Sequence, residues 1–371
     1  MSILALRNNL FLESRMLKKA AALFLVCASV VTWIACGSTS SHYVYAAIPQ
    51  ANQVIAYRED PNSGVLTPLP ASPFTAGLGA QALALHPSKK FLYVANSGEN
   101  TISLFTIASS RALTEVTPRT PTGGSTPMLL AMDAAGALLY VAEAGSNDIS
   151  VFSINSGSGA LSAVSGSPFP VGISPISMKL SPTADFLYVG GGAGSPGLIE
   201  IFSVTSGFLT AVGSASTDGI SPYGLAIDPT GTYLYAANEG SNSIAEFTIS
   251  GGSLTPIQGS PLGGSLTVPA ALLIDPSGKF LYVVNNTSSG TLAAYTIDTG
   301  GALTVLSNSP FTVGANPYSL VADPGGKYLL VGTQGSSGQI HVFGLNESNG
   351  TLSSLAPYST GNTATSIVVM Q

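Results

Sequence analysis

Pro222-Tyr223-Gly224-Leu225-Ala226-Ile227-Asp228-Pro229-Thr230-Gly231-Thr232-Tyr233-Leu234-Tyr235-Ala236-Ala237-Asn238 reads as two short apolar strands around one tight turn. The turn is Asp228-Pro229-Thr230-Gly231. Pro presets φ at the second place, Asp accepts backbone N–H groups, and Gly tolerates the exit geometry, which are the preferences of a type I turn. The stretch recurs along the chain. The Tyr of its Leu-Tyr pair returns at Tyr93, Tyr140, Tyr188 and Tyr282, with Leu330 in the sixth place, at intervals of 47 or 48 residues. The opening Pro returns at Pro127, Pro175, Pro269 and Pro317, and the turn at Asp275-Pro276-Ser277-Gly278 and Asp323-Pro324-Gly325-Gly326. A period of this length belongs to propellers and arrays of small sheets, not to a doubly wound parallel sheet.

Each copy continues with two more strands. After Asn238, residues 243–249 alternate Ile244, Glu246 and Thr248 with Ala245 and Phe247, and residues 254–258 precede a Gly-Ser-Pro turn. A four-stranded sheet is too small to cover both of its faces, but radial stacking on neighbours covers them. The two ends of the chain are incomplete copies. Residues 43–70 match only strands two to four, and residues 364–370 (Ala-Thr-Ser-Ile-Val-Val-Met) match only strand one. Six full copies and two complementary pieces predict an all-β, seven-bladed propeller of four-stranded antiparallel blades over residues 42–371, with the last strand completing the first blade. Such closure leaves no terminal sheet edge to fray or aggregate.

Composition agrees. Of 371 residues, 45% are hydrophobic and only 8% charged, with 42 Gly and 24 Pro. That balance excludes a disordered chain. Twelve basic against 18 acidic residues exclude a nucleic-acid binder, which needs a basic footprint.

Residues 1–36 read as an export signal: Lys18-Lys19, an apolar run from Ala20 to Val31, then Thr32-Trp33-Ile34-Ala35-Cys36. Met16 would give the more typical start. Ile34-Ala35-Cys36-Gly37 resembles a bacterial lipobox, in which Cys36 is acylated and heads the mature chain, followed by a short linker over 37–41. Cys27 and Cys36 are the only cysteines, so no disulfide or thiolate metal site is expected further on. With Arg7, Glu13, Arg15, Lys18 and Lys19 removed, 8 basic and 17 acidic residues remain, a net charge of −9 that disfavours polyanionic partners.

Leu92-Tyr93-Val94-Ala95-Asn96, with its variants at 234–238 and 281–285, resembles the YVTN-type repeat. Together with the Asp-Pro-x-Gly turn it resembles the seven-bladed lactonase propellers, which include bacterial 6-phosphogluconolactonase and the carboxymuconate-lactonising enzymes. The resemblance covers about residues 42–371. It implies a site at one mouth of the central channel, with an Arg-His pair after the opening Pro of one innermost strand, a His on another, and a Glu after a second strand. At the matching places this sequence has Tyr223-Gly224 and Ile176-Ser177, and the other copies offer Gln81-Ala82, Met128-Leu129, Ala270-Ala271, Tyr318-Ser319 and Thr365-Ser366. None is charged or His. Only the Glu is matched, by Glu239 after Asn238. Lactone opening needs a base for water and donors for the developing oxyanion, and a phosphorylated or tricarboxylate substrate also wants Arg or Lys. The resemblance therefore implies the fold, and the mouth speaks against the best-known reaction in its usual form.

Glu143 and Glu239 break the repeat near the ends of second strands, where other copies carry Asn96, Asn285 or Gly, and repeat-breaking polar groups mark places where a site is grafted. Solvated loop carboxylates are the plainer reading of both. Tyr223 and Tyr318 are flat donors suited to sugars or peptides. The Asp residues of the recurring turns, Asp133, Asp228, Asp275 and Asp323, are read as turn stabilisers. Gly190-Gly191-Gly192 with Gly194 reads as loop, since no helix follows to make a phosphate cradle. His86 is read as an exposed turn residue, His341 as a blade-face residue, and His42 precedes the first strand. Their spacing makes no metal set or triad, and no metal or other cofactor is expected.

The leading expectation is an exported, lipid-anchored, monomeric propeller that binds a small molecule, glycan or protein at one ring face through Tyr223, Tyr318, Asn238, Asn96 and Glu143, touching membrane only through its lipid. The alternatives are a lactone hydrolase using Glu239 as base, with Tyr223 and Asn238 orienting the substrate, and a structural envelope protein.

Overall fold

The computed structural model describes residues 41–192, 196–264, 266–334 and 338–371. The expected signal, Cys27, Cys36, most of the linker and Gly194 lie outside the described residues. The described strands form seven antiparallel sheets, each a blade of four strands, with a short extra strand on four of them. In the blade of the quoted stretch the strands are Pro222–Ile227, Tyr233–Asn238, Ser243–Ser250 and Ser253–Pro256, in that spatial order. The first blade is closed by the chain's tail. Ser366–Met370 pairs with His42–Ile48 in the register Ala47↔Ser366 to Tyr43↔Met370. The adjoining Thr365 donates its hydroxyl to the Gln81 carbonyl of the next blade at 2.7 Å.

The cores lie at the seams between blades. Seven buried apolar clusters join successive blades. At the closing seam Val44, Ala46, Ile48 and Ile367 of the first blade pack on Leu330, Ile340 and Val342 of the last. Second strands are almost wholly buried, as in Phe91–Asn96 and Phe280–Asn285, because their two faces serve two seams.

The recurring Tyr rivets most of the seams. Its ring is buried, and its hydroxyl crosses to a carbonyl in the next blade's outer hairpin: Tyr93 to Gly159 at 2.7 Å, Tyr188 to Gly252 at 3.0 Å, Tyr235 to Gly301 at 2.7 Å and Tyr282 to Gly350 at 2.9 Å. At these seams the buried hydroxyl has the partner it needs, which favours Tyr over Phe there. Tyr140 keeps the buried ring, but its hydroxyl has no partner among the described residues, and Leu330 stands in the Tyr place in the last blade. The recurring turn Asp is likewise structural. Asp275 accepts the N–H groups of Lys279 and Phe280 at 2.9 and 2.8 Å and that of Ser277 at 3.0 Å. His86 fills the same column, but it is buried, not exposed as the sequence reading expects. Its Nδ1 accepts the Ser88 N–H at 3.0 Å, and its Nε2 lies 3.0 Å from the Gly136 carbonyl of the adjoining blade. That inter-blade contact is what buries it.

Candidate functional site

One irregularity builds the mouth of the ring. Each innermost strand that opens a complete copy has a register shift just after its first residue, between Ala80 and Ala82, Pro175 and Ser177, Pro222 and Gly224, Pro269 and Ala271, and Pro317 and Ser319, with the equivalent shift opposite Pro127 and Leu129. The extra residue of a β-bulge is unpaired, and its side chain is re-aimed. Those residues are Gln81, Met128, Ile176, Tyr223, Ala270 and Tyr318. Five of them, with Thr365 of the closing strand, line a narrow cavity of about 170 Å³ at the channel mouth. Apart from Ser366, the remaining wall is apolar strand surface such as Leu83, Leu129 and Leu130. A wider opening beside it shares Gln81, Tyr318 and Thr365 and adds Gln50, Asn316, Gln334 and Thr363. Among the described residues, no charged side chain lines either space. Recognition here falls to hydroxyls, amides and aromatic faces.

Tyr223 and Tyr318 stand two blades apart and meet across the mouth. Their hydroxyls are 3.1 Å apart, and their rings lie edge to face with centroids 6.1 Å apart. Burial, then the neighbouring Tyr223, then the Glu239 charge push the Tyr318 hydroxyl above its ordinary pKa, so it stays a neutral donor. Glu239 is half-buried at the start of the turn Glu239–Ser241, and its N–H donates to the Ser221 carbonyl at 2.9 Å. Partial burial raises its pKa above the usual carboxylate range. Glu239 is not on the cavity wall, yet its field reaches the Tyr318 hydroxyl.

Asn96, Asn238 and Glu143 are placed elsewhere. All three are fully buried at the ends of second strands, and none lines the cavity. Asn96 accepts the Gly77 N–H at 3.1 Å and donates to Thr101 and Ser103 at 3.0 Å. Asn238 donates to the Ser243 hydroxyl at 3.2 Å. Their job is to tie the incoming loop to the blade. Glu143 occupies the same column: it accepts the Thr122 hydroxyl at 3.3 Å and lies so close over Gly124 that a Cβ there would overlap it. Glu143 is therefore a buried brace rather than a solvated loop carboxylate. The signal for this was available, because its column holds Asn in three other copies.

Burial, and next to it the charge of Asp148, raise the Glu143 pKa, while the hydrogen bond from the Thr122 hydroxyl lowers it. A carboxyl whose pKa is higher folded than unfolded favours the fold when protonated, and loses that advantage as pH rises from its unfolded value through its folded one. Glu143→Gln is therefore expected to match the natural chain at pH 4 and to be more stable by about 1 kcal/mol, roughly 2–4 °C, at pH 7. Calorimetric melting of both chains across that range checks this, and a pH-independent gap between them defeats it.

His341 is buried on the third strand of the last blade, Gln339–Leu345, with its pKa lowered by desolvation and its Nε2 without a partner beside Gly314. His42 opens the first strand instead of preceding it, and is buried beside Glu59 and Asp323, a grouping that sequence spacing does not reveal.

A sequence model of the family described as "Lactonase, 7-bladed beta-propeller" matches residues 38–179, 173–268 and 260–369. No curated protein matches the sequence. Among solved structures, a protein of Bacteroides fragilis whose description proposes a 6-phosphogluconolactonase is similar over 90% of this chain and 99% of its own, at 20% identity and a TM-score of 0.76. The periplasmic gluconolactonase of Pseudomonas aeruginosa is similar over 90% of this chain and 99% of its own, at 19% identity and a TM-score of 0.72. A protein of Lactobacillus plantarum follows the same fold over 89% of this chain and 99% of its own, at 21% identity and a TM-score of 0.73.

Proposed function

We propose, for a chain that belongs to the lactonase family of seven-bladed β-propellers, that it hydrolyses an uncharged lactone at the mouth of its ring. The observation that carries this is the chemistry of the mouth: a tyrosine pair, amides and hydroxyls, with no cation on the wall among the described residues. A phosphorylated or carboxylated substrate would leave its anionic group unpaired there, which costs several kcal/mol. A sugar lactone offers only hydroxyls and one ester, which suit Gln81, Thr365 and the tyrosine faces. One structural neighbour is named a gluconolactonase, and a lactone of that kind needs no phosphate.

In this reading the Tyr223–Tyr318 pair donates a hydrogen bond to the lactone carbonyl, and Glu239, ionised, takes a proton from the attacking water. Water oxygen bonds to the carbonyl carbon, the ring C–O bond breaks, and the proton passes to the leaving alkoxide, giving the hydroxy acid. A raised carboxylate pKa makes Glu239 a stronger base once ionised, so the rate should rise with pH along an acid limb above the ordinary carboxylate value. Hydrolysis of unphosphorylated and phosphorylated sugar lactones, followed by acid release, tests the assignment. Preference for the phosphorylated substrate would reverse it.

A second reading is favoured by one observation: Glu239 does not line the cavity. In that reading the propeller binds the same class of neutral ligand without turnover. We further propose that residues 1–36 direct export and that Cys36 carries a lipid. Cys36→Ser is expected to move the protein from the membrane to the soluble fraction and to abolish incorporation of labelled fatty acid. Unchanged membrane retention and labelling would sink the anchor.

A further inference from the structure

We propose that His42, Glu59 and Asp323 form a binding site for a divalent metal ion of the zinc type, which clasps the ring at its closing seam. The site lies at the other end of the innermost strand Pro317–Ala322 from the mouth, about 20 Å away by strand rise. His42 and Glu59 belong to the first blade and Asp323 to the last, so an ion held by all three joins the two blades that meet where the chain begins and ends.

The seven copies supply an internal comparison. Glu59 stands in the column occupied by Ile107, Ile154, Val204, Ile249, Ile297 and Leu345. Those aliphatic residues are partly exposed, whereas Glu59 is fully buried. His42 stands where other copies place exposed turn residues such as Lys90, Lys279 and Lys327, and it is 4% exposed. Asp323 keeps its turn role, accepting the Tyr328 and Gly325 N–H groups, and these bonds hold its carboxylate in place. A repeat that exchanges an aliphatic residue for a buried carboxylate in one copy alone, opposite a buried imidazole, has built something there.

The geometry suits an ion better than a proton. The His42 Nδ1 lies 3.3 Å from an Asp323 carboxylate oxygen and 3.5 Å from a Glu59 oxygen. Neither contact is a hydrogen bond, and the His42 Nδ1 and both Glu59 oxygens are buried without a hydrogen-bond partner. Charge-assisted hydrogen bonds would draw the atoms to about 2.7–2.9 Å. Ligand atoms about 2.05 Å from a tetrahedral zinc are about 3.3 Å from one another. One ligand atom from each residue falls within 4.8 Å of the others. Glu59 has two free oxygens and can bind through both. One imidazole and two carboxylates form a borderline donor set suited to zinc.

The test uses the full chain without an affinity tag, stripped with chelator and dialysed, with Zn²⁺ as the probe. Metal content by mass spectrometry is expected to reach about one zinc per chain, and saturating zinc to raise the melting temperature by at least about 5 °C. Glu59→Ile, which imports the residue of the other blades, is expected to fold with a metal-free melting temperature at or above that of the natural chain and to bind less than about a tenth of a zinc. His42→Gln is expected to lose zinc likewise. A natural chain that takes up no zinc and shows no shift overturns the proposal, as does a Glu59→Ile chain that binds zinc as well as the natural one. Lactone hydrolysis is expected to survive Glu59→Ile, because the mouth is remote, so failure of the metal site and failure of the catalytic reading remain distinguishable.

Discussion

Glu239→Gln is expected to lower the rate of neutral-lactone hydrolysis by about 10²–10⁴ while leaving the fold and the substrate affinity nearly unchanged. The amide keeps the size and the hydrogen-bonding reach of the carboxylate but cannot accept the water proton. Glu239 sits half-buried in a surface turn, so the substitution empties no core. Loss should appear in kcat rather than KM, because the base acts on the water and not on the bound sugar. Tyr318→Phe is the companion variant: it removes the hydroxyl whose neutral, donating state burial and its neighbours maintain, and it should cost about 10²–10³ in kcat if that hydroxyl faces the oxyanion. Full activity in Glu239→Gln would remove the proposed base. If the natural chain bound a neutral lactone in calorimetry and never turned it over, the non-catalytic reading would replace the hydrolase.

A chain ending at Thr360 is expected to fail to fold as a soluble monomer. The missing segment contains Ala364, Ile367 and Met370, all buried, and supplies the innermost strand of the first blade. Burial of each large side chain contributes about 1.5–3 kcal/mol, and the lost strand also uncovers Val44 and Ala46 and the N–H and C=O groups of the His42–Ile48 edge. The sum approaches the whole stability of a typical domain, about 5–15 kcal/mol. Soluble yield, circular dichroism and size-exclusion chromatography report the outcome. Ile367→Ala, a gentler cut at the same seam, should cost about 2–5 kcal/mol. A truncated chain that stays monomeric and melts where the natural one does would show that the ring does not depend on this closure.

The mouth shows how far a repeat can be read. The dipeptides after each opening Pro are located by alignment alone, because the period is regular and the turns are punctuated by Asp, Pro and Gly. Sequence does not tell which member of each pair enters the mouth. The bulge decides that, leaving Gln81 and Tyr223 unpaired; Tyr223 lines the cavity where Gly224 does not, while Gln81 and Ala82 both line it. Glu143 and Glu239 look alike in the alignment, one column apart. In space the first is a buried brace over Gly124 and the second a half-exposed turn residue, since one column shift at a strand end separates a side chain held under a loop from one outside it. Glu59 passes unnoticed in the incomplete first copy, although its column in the six complete copies is uniformly aliphatic.

By itself the sequence determined the number of blades, the strand order within each, and the joining of tail to head, since these follow from local turn chemistry and a repeated apolar pattern, both of which neighbouring residues encode. Only the tertiary structure decided which side chains meet: the Tyr hydroxyls bridging blades to carbonyls roughly 66 residues on, the Tyr223–Tyr318 contact across the mouth, and the gathering of His42, Glu59 and Asp323 from opposite ends of the chain. Such contacts depend on the angle at which one sheet packs on the next, and that angle is set by the shape of whole seams rather than by any short run of residues.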